Sequence, residues 1–155
     1  MFAFAAKSTL KRGAAVTVPR ALASCANYST SKEAIHVPNS KPAIGPYSKG
    51  ILFGNLIFTS GQLPTDPNTN ELLGNDIKTQ TEAAIANLQS VLKSAGSDLN
   101  KVIKTTVYLS DIKEWEEMNS VYQKYFDEPY PARSAFEVGK LPKGSKVEIE
   151  CVAHV

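Results

Sequence analysis

Hydrophobic and polar residues follow two different periods along this chain. From Asp76 to Ala95, apolar residues recur every three or four positions and polar residues fill the opposite face. Gly96 follows as a terminator, so this stretch predicts a one-sided surface helix. Residues 102–109 are instead β-branched and aromatic, a composition that predicts a central strand.

A hairpin is predicted before these elements, and a second helix is predicted after them. Apolar β-formers flank the turn pair Gly54-Asn55 within residues 47–61, which indicates two antiparallel strands. The second of these strands ends in Ser60-Gly61, where glycine lets another group approach the backbone closely. Ser110 and Asp111 can cap a second helix, predicted over Ile112–Phe126.

The C-terminal part of the chain predicts two more strands. One is Ser134–Val138, opened by Arg133, and the last is Lys146–Val155. The last strand alternates, so its two faces differ. One face carries Val147, Ile149, Cys151, Ala153 and Val155, and the other carries Glu148, Glu150, Val152 and His154.

The order of elements predicts an α+β fold, with a single mixed sheet and two helices packed on one face. The other face of the last strand mixes acids with a valine, so it is neither core nor fully polar. Such a surface suits a subunit interface. A homo-oligomer is therefore predicted.

The first 30 residues differ from the rest in composition. They contain Lys7, Lys11, Arg12 and Arg20, are rich in Ala, Ser and Thr, and the first acid is Glu33. This is typical of a mitochondrial transit peptide, which predicts a matrix location and a functional domain at residues 31–155. The alternative is a disordered basic tail. No apolar run suits a secretory signal or a membrane span.

Removing that leader changes the charge of the protein. Lys plus Arg falls from 17 to 13 against 15 acids, so the net charge moves from +2 to −2. The remaining lysines are dispersed along the chain. Nucleic-acid binders usually cluster their basic residues, so DNA or RNA is not expected as the main partner.

The metal-binding residue types are few and far apart. Cys25 lies in the leader and leaves only Cys151 in the domain, so no intrachain disulfide is expected there. The histidines are His36 and His154. No metal site is predicted.

Arg133 is the only arginine among residues 31–155, which hold twelve lysines. Lysine serves surface solubility equally well, so a single arginine suggests a planar, two-point grip on a carboxylate or phosphate. The alternative is an ordinary surface ion pair, for example with Asp127 or Glu128.

Six segments together resemble the reactive-intermediate deaminase (Rid, YjgF-like) family over about residues 33–155. Each is weak alone, and their order and spacing make the resemblance specific. They are Pro42–Tyr47, Thr59–Pro64, Lys104–Leu109, Asn119–Tyr122, Pro131–Ser134 and Val147–Ala153.

The resemblance implies a chorismate-mutase-like fold, a homotrimer and active sites in the clefts between subunits. It implies hydrolysis of reactive enamine and imine acids, such as 2-aminoacrylate and 2-aminocrotonate, to 2-keto acids and ammonia, with no metal or cofactor. These acids leave pyridoxal-phosphate-dependent dehydratases. Protection of such enzymes, and of branched-chain amino-acid metabolism including isoleucine biosynthesis, is the role expected.

The resemblance also assigns roles to residues. Arg133 matches the carboxylate-binding arginine, and Glu150 matches the acid that orients or activates the attacking water. The cleft residues matched are Tyr47, Asn119, Ser60 and Gly61.

One position departs from the family pattern. Many close members carry cysteine two residues after the arginine, and this chain has Ala135. A nucleophilic or redox role is therefore not expected there, although the Ala135 backbone N–H can still donate to a bound carboxylate.

Two other functions are open at this point. One is an RNA-cleaving translation inhibitor, an activity reported for family members. The other is a non-catalytic module that binds small carboxylates or acts as a chaperone-like partner. The charge after removal of the leader and the lack of a histidine pair argue against RNA cleavage.

Overall fold

The computed structural model describes residues 30–155, which form one mixed sheet with two helices packed against it. The predicted leader lies outside these residues except for its last position. The elements are β1 (Glu33–Ala34), β2 (Gly50–Phe53), β3 (Leu56–Thr59), α1 (Ile77–Ser94), β4 (Val102–Leu109), α2 (Trp115–Tyr122), β5 (Ala132–Glu137) and β6 (Val147–His154).

The strands lie in the order β1-β2-β3-β6-β4-β5 across the sheet. All neighbouring pairs are antiparallel except β4 and β5, which run parallel. A parallel pair needs a crossover connection, and α2 lies in it. The α+β class with a single mixed sheet is confirmed, β4 is an interior strand as predicted, and β5 forms an edge.

The predicted hairpin is confirmed. Phe53 pairs with Leu56 across the turn, and Gly54 takes φ +63°, a conformation that side chains disfavour. The short strand β1, which was not predicted, extends the sheet by pairing with β2.

The two helices differ in how well the sequence predicted them. For α1, the Asp76 side chain accepts a hydrogen bond from the Thr79 N–H and so caps the first turn, as expected for a helix over this stretch. The second helix is shorter than predicted. Residues 112–114 form a separate 3₁₀ turn, and after Tyr122 the N–H groups of Lys124 and Tyr125 bond three residues back, which ends α2.

The core lies between the helices and one face of the sheet. Alternation along β6 is confirmed: its odd-numbered residues from Val147 to Ala153 are buried, and Glu148 and Glu150 are half-buried on the opposite face. Within residues 30–155, both helices pack on this buried face and none covers the opposite face of the sheet. Other core members are Ile57, Ile85, Leu88, Val107, Leu109 and Met118.

Two further observations apply to residues 30–155. No helix there is long and apolar enough to cross a membrane. No group of three or more His, Cys, Asp or Glu side chains in that range is arranged to hold a metal ion.

Candidate active site

Arg133 lies on edge strand β5, where its backbone is in register with Thr105 of β4. Its side chain is on the helix-covered side of the sheet, with Cζ 4.5 Å from the ring centroid of Tyr122 and 5.7 Å from that of Trp115. Within residues 30–155 it forms no ion pair and no side-chain hydrogen bond. The alternative of a surface ion pair with Asp127 or Glu128 is therefore wrong for this structure.

The ring beneath Arg133 is itself fixed. Tyr122 is only 4% exposed and stacks on Phe126 with ring centroids 4.3 Å apart. Its hydroxyl is 2.8 Å from the hydroxyl of buried Thr105. Burial raises the pKa of Tyr122, so the phenol stays neutral and can hold this hydrogen bond.

Helix and strand spacing place Asn119 and Ala135 on the same side of the sheet as Arg133. Asn119 is four residues after Trp115 and three before Tyr122, which places the three on one face of α2. Its side chain is half-buried and has no hydrogen-bond partner within the described part of the chain. Ala135 follows Arg133 by two positions on β5, so it shares that side of the sheet and packs against the core.

The other predicted cleft residues, Tyr47, Ser60 and Gly61, form a second group near the C-terminal end of β3. The Ser60 hydroxyl donates to the Ser48 carbonyl over 2.6 Å, which ties this segment to the chain that leads into β2. Gly61 and Tyr47 both line an open cleft of about 410 Å³. Tyr47 is 53% exposed, so its ring is available to a ligand or to another subunit.

Two carboxylates lie on one face of β6, and one of them contacts this second group. Glu148 lies against Gly61, and burial, together with the charge of Glu150, raises the pKa of Glu148. Glu150 accepts a hydrogen bond from the Tyr108 hydroxyl at 3.1 Å and borders a smaller pocket of about 240 Å³. Burial and the Glu150 charge also raise the pKa of Tyr108, so this donor stays protonated.

The predicted site residues therefore fall into two sets within one chain. Arg133 is on the helix-covered side of the sheet, and Glu148 and Glu150 are on the uncovered side. Strand β4 separates the arginine strand from the glutamate strand. A single chain thus does not bring Arg133 and Glu150 into one cavity.

Sequence reasoning missed Trp115, Tyr122 and Glu148 as members of this region. The spacing of Trp115 and Tyr122 from the predicted Asn119 carried a signal, since residues four and three positions apart share one helix face. The sequence did not indicate that this face meets Arg133. Glu148 shares its face with Glu150 by alternation, but its contact with Gly61 depends on the pairing of Gln62 with Ile149, which the sequence does not reveal.

Comparison with known proteins identifies the family. The sequence model of the family described as endoribonuclease L-PSP matches residues 38–155. A RutC family protein of Pyrococcus horikoshii is 48% identical over 123 residues, covering 79% of this chain and 98% of the relative. The protein therefore belongs to the endoribonuclease L-PSP family, also known as the Rid (YjgF) family.

Two other relatives carry more specific names. The human protein named 2-iminobutanoate/2-iminopropanoate deaminase is 40% identical over 125 residues, covering 81% of this chain and 91% of its own. The structure of E. coli TdcF with bound serine superposes with a TM-score of 0.74 at 36% identity, covering 79% of this chain and 98% of that one. This chain thus shares its family with a protein named as a deaminase, and its fold with a protein whose structure holds a bound amino acid.

Proposed function

We propose that the protein hydrolyses reactive 2-enamine and 2-imine acids, such as 2-aminoacrylate and 2-aminocrotonate, to 2-keto acids and ammonia. The observation that carries the proposal is Arg133, the single arginine of residues 31–155, set on aromatic rings with no acid paired to it in the described chain. The name of the human relative supports the same reaction class.

Substrate binding depends on the planar guanidinium. Two of its N–H groups can donate in parallel to the two carboxylate oxygens of the substrate, which fixes the position and the orientation of the acid together. Asn119, whose amide has no hydrogen-bond partner among residues 30–155, supplies a further polar group on the same side. The Ala135 backbone and the Ser60-Gly61 segment complete the proposed contacts.

The chemical step requires one water and a group that moves protons. The water oxygen bonds to the imine carbon as a carboxylate removes its proton. The electrons of the C=N π bond move to the nitrogen, which takes that proton from the carboxylic acid. The same carboxylate then transfers the proton of the new hydroxyl to the amine nitrogen, so the C–N bond breaks as the C=O bond forms, and ammonia leaves a keto acid. The imine carbon is already electrophilic, so the main demands on the protein are placement of the water and proton transfer.

Two glutamates are candidates for that proton transfer. Glu150 is the residue that the family resemblance proposes, and its carboxylate already accepts the Tyr108 hydrogen bond. Glu148 has the stronger structural support, because it contacts Gly61 and burial raises its pKa toward the range useful to a general acid.

We also propose that the site is shared between subunits of a homotrimer. The opposite placement of Arg133 and the two glutamates supports this arrangement, because a cleft between subunits can pair the arginine side of one copy with the glutamate side of another. Exposed aromatic side chains on the uncovered face support an interface there. They are Phe58, 44% exposed, and Phe136, 54% exposed.

A coupled assay tests the proposed reaction. Threonine dehydratase generates 2-aminocrotonate, and 2-ketobutyrate formation is followed with and without the protein. We expect the wild type to accelerate 2-ketobutyrate formation. Arg133→Ala and Arg133→Lys should lose most of this acceleration. Lys140→Ala, the matched control that removes an exposed cation, should accelerate the reaction as the wild type does. If neither the wild type nor any of the three variants accelerates the reaction, the deaminase function is refuted. Tight keto-acid binding without turnover would indicate a binding module.

RNA cleavage is the second candidate, and the family description as endoribonucleases favours considering it. Residues 31–155 carry 13 basic against 15 acidic residues, which is unfavourable for a polyanion. RNase activity that co-purifies with the protein and is lost in Glu150→Ala would support it.

The cellular setting is proposed from the leader. Its basic, acid-free composition supports import into the mitochondrial matrix, where the protein would protect pyridoxal-phosphate enzymes and branched-chain amino-acid synthesis. Cell fractionation tests the location. A deletion strain with normal growth and unmodified transaminases would contradict the protective role.

A further inference from the structure

Aromatic rings support the guanidinium of Arg133. A ligand-binding arginine is often held by acidic side chains instead. We propose that Trp115 and Tyr122 are positioning residues that hold Arg133 in the orientation in which it binds the substrate carboxylate. We refer to these two rings as the aromatic bracket. This inference rests on the proposed function of Arg133.

The choice of support determines what the arginine can still bind. A ring attracts a cation through the negative charge on its face, so the guanidinium is held without a carboxylate partner. An acid in the same place would occupy the N–H donors and compete with the substrate. The aromatic bracket, 4.5 Å and 5.7 Å from Cζ, leaves the planar fork available to a ligand.

The aromatic bracket is tied to the strand that carries the arginine. The Tyr122 hydroxyl bonds to the Thr105 hydroxyl over 2.8 Å, and Thr105 is the β4 residue in register with Arg133 on β5. The backbone and the guanidinium of Arg133 are therefore both positioned relative to Thr105. Stacking of Tyr122 on Phe126 prevents the ring from turning away.

Trp115 is the member that can be changed without opening the core, because it is 37% exposed. We expect Trp115→Leu to raise KM, and the Kd for 2-ketobutyrate measured by calorimetry, about threefold to tenfold, with kcat changed by less than about twofold. Trp115→Phe keeps a ring and should restore values close to wild type. Ile112→Ala, which truncates a nearby residue of similar exposure (44%), is the matched control and should leave KM unchanged.

Tyr122→Phe provides a second variant that keeps the ring and removes only the bond to Thr105. We expect a smaller rise in KM than in Trp115→Leu, again with kcat nearly unchanged. A purely structural role would instead lower the melting temperature without dividing the effect between KM and kcat. Melting temperatures are therefore measured for each variant.

Trp115 is also the only tryptophan of the chain, so its fluorescence reports on this place alone. We expect saturating 2-ketobutyrate to change the emission of the wild type and to leave that of Arg133→Ala unchanged. Tyr122→Phe should retain the change at higher keto-acid concentration.

The outcomes separate this inference from the proposed function. An active wild type with an inactive Arg133→Ala, but with unchanged KM and Kd in Trp115→Leu, would refute the aromatic bracket alone. Keto acid that binds by calorimetry without altering Trp115 emission would refute it too. Absence of turnover in the wild type would refute the proposed function itself, whatever Trp115→Leu does to keto-acid binding.

Discussion

Gly61 faces the side chain of Glu148 so closely that a Cβ on the glycine would lie 2.6 Å from the carboxyl carbon Cδ and 2.9 Å from Cγ. Only a residue without a side chain fits there while the glutamate keeps its position. The contact is made with the mobile end of a long side chain, so a larger residue at 61 displaces the carboxylate more readily than the backbone.

We therefore expect Gly61→Ala to fold and to lose deaminase activity, with kcat reduced by about tenfold or more because the proton-transfer group is moved. The measurement is the coupled keto-acid assay beside a thermal melt. Gly139→Ala is the matched control, since a Cβ at Gly139 meets nothing within 4 Å. Full activity in Gly61→Ala would contradict a catalytic place for Glu148.

Glu148→Gln should lower the activity of the protein and raise its stability at neutral pH. The pKa of Glu148 is raised above its ordinary 4.5 in the folded chain, so folding strengthens proton binding. As the pH rises above 4.5, the unfolded chain loses this proton first, and the free energy of unfolding falls until the raised folded-state pKa is passed. The variant has no such loss.

Glu148→Gln should therefore match the wild type in stability near pH 4 and exceed it at pH 7, while its activity falls about a hundredfold. Denaturant unfolding at both pH values and the coupled assay provide the two readouts. Glu150→Gln is the comparison: a larger loss of activity there than in Glu148→Gln would return the proton-transfer role to Glu150.

Cys151 should be chemically inert in the folded protein. It is 4% exposed, and burial raises the pKa of its thiol to about 12, so almost no thiolate is present at pH 8. We expect iodoacetamide at pH 8 to leave Cys151 unmodified in the native protein and to alkylate it in urea, as read by peptide mass spectrometry. Rapid native labelling would show that β6 opens locally.

The core beneath α1 should respond to truncation much more than the outer face of the same helix. Leu88 is fully buried, so Leu88→Ala should lower the free energy of unfolding by about 2–5 kcal/mol. Glu82 is exposed on that helix, and Glu82→Ala should change the same quantity by less than about 0.5 kcal/mol. Equal effects would mean that the helix is packed in another orientation.

The sequence predicted those parts of the fold that local patterns control. The alternation of β6, the turn at Gly54 and the period of α1 are each determined by neighbouring residues, and all three are confirmed. The length of α2 was not predictable in this way. Its apolar residues continue to Phe126, but the last turn tightens into bonds between residues three apart, and Phe126 packs in the core from outside the helix.

The candidate site was only partly accessible from the sequence. The rarity of arginine singled out Arg133, but its support by Trp115 and Tyr122 follows from the crossover that places α2 over β5, a non-local feature. The opposite placement of Arg133 and the glutamates likewise depends on strand order. Composition and spacing carry no information on which side of a sheet two distant strands present their residues.

The separation of Arg133 from the glutamates by the sheet has a genetic consequence. If each site takes its arginine from one copy and its acid from another, a chain lacking only Arg133 and a chain lacking only Glu148 can assemble into hybrids that contain some intact sites. Two alleles that are each inactive alone would then complement each other in one cell. Alleles that damage the same side would not.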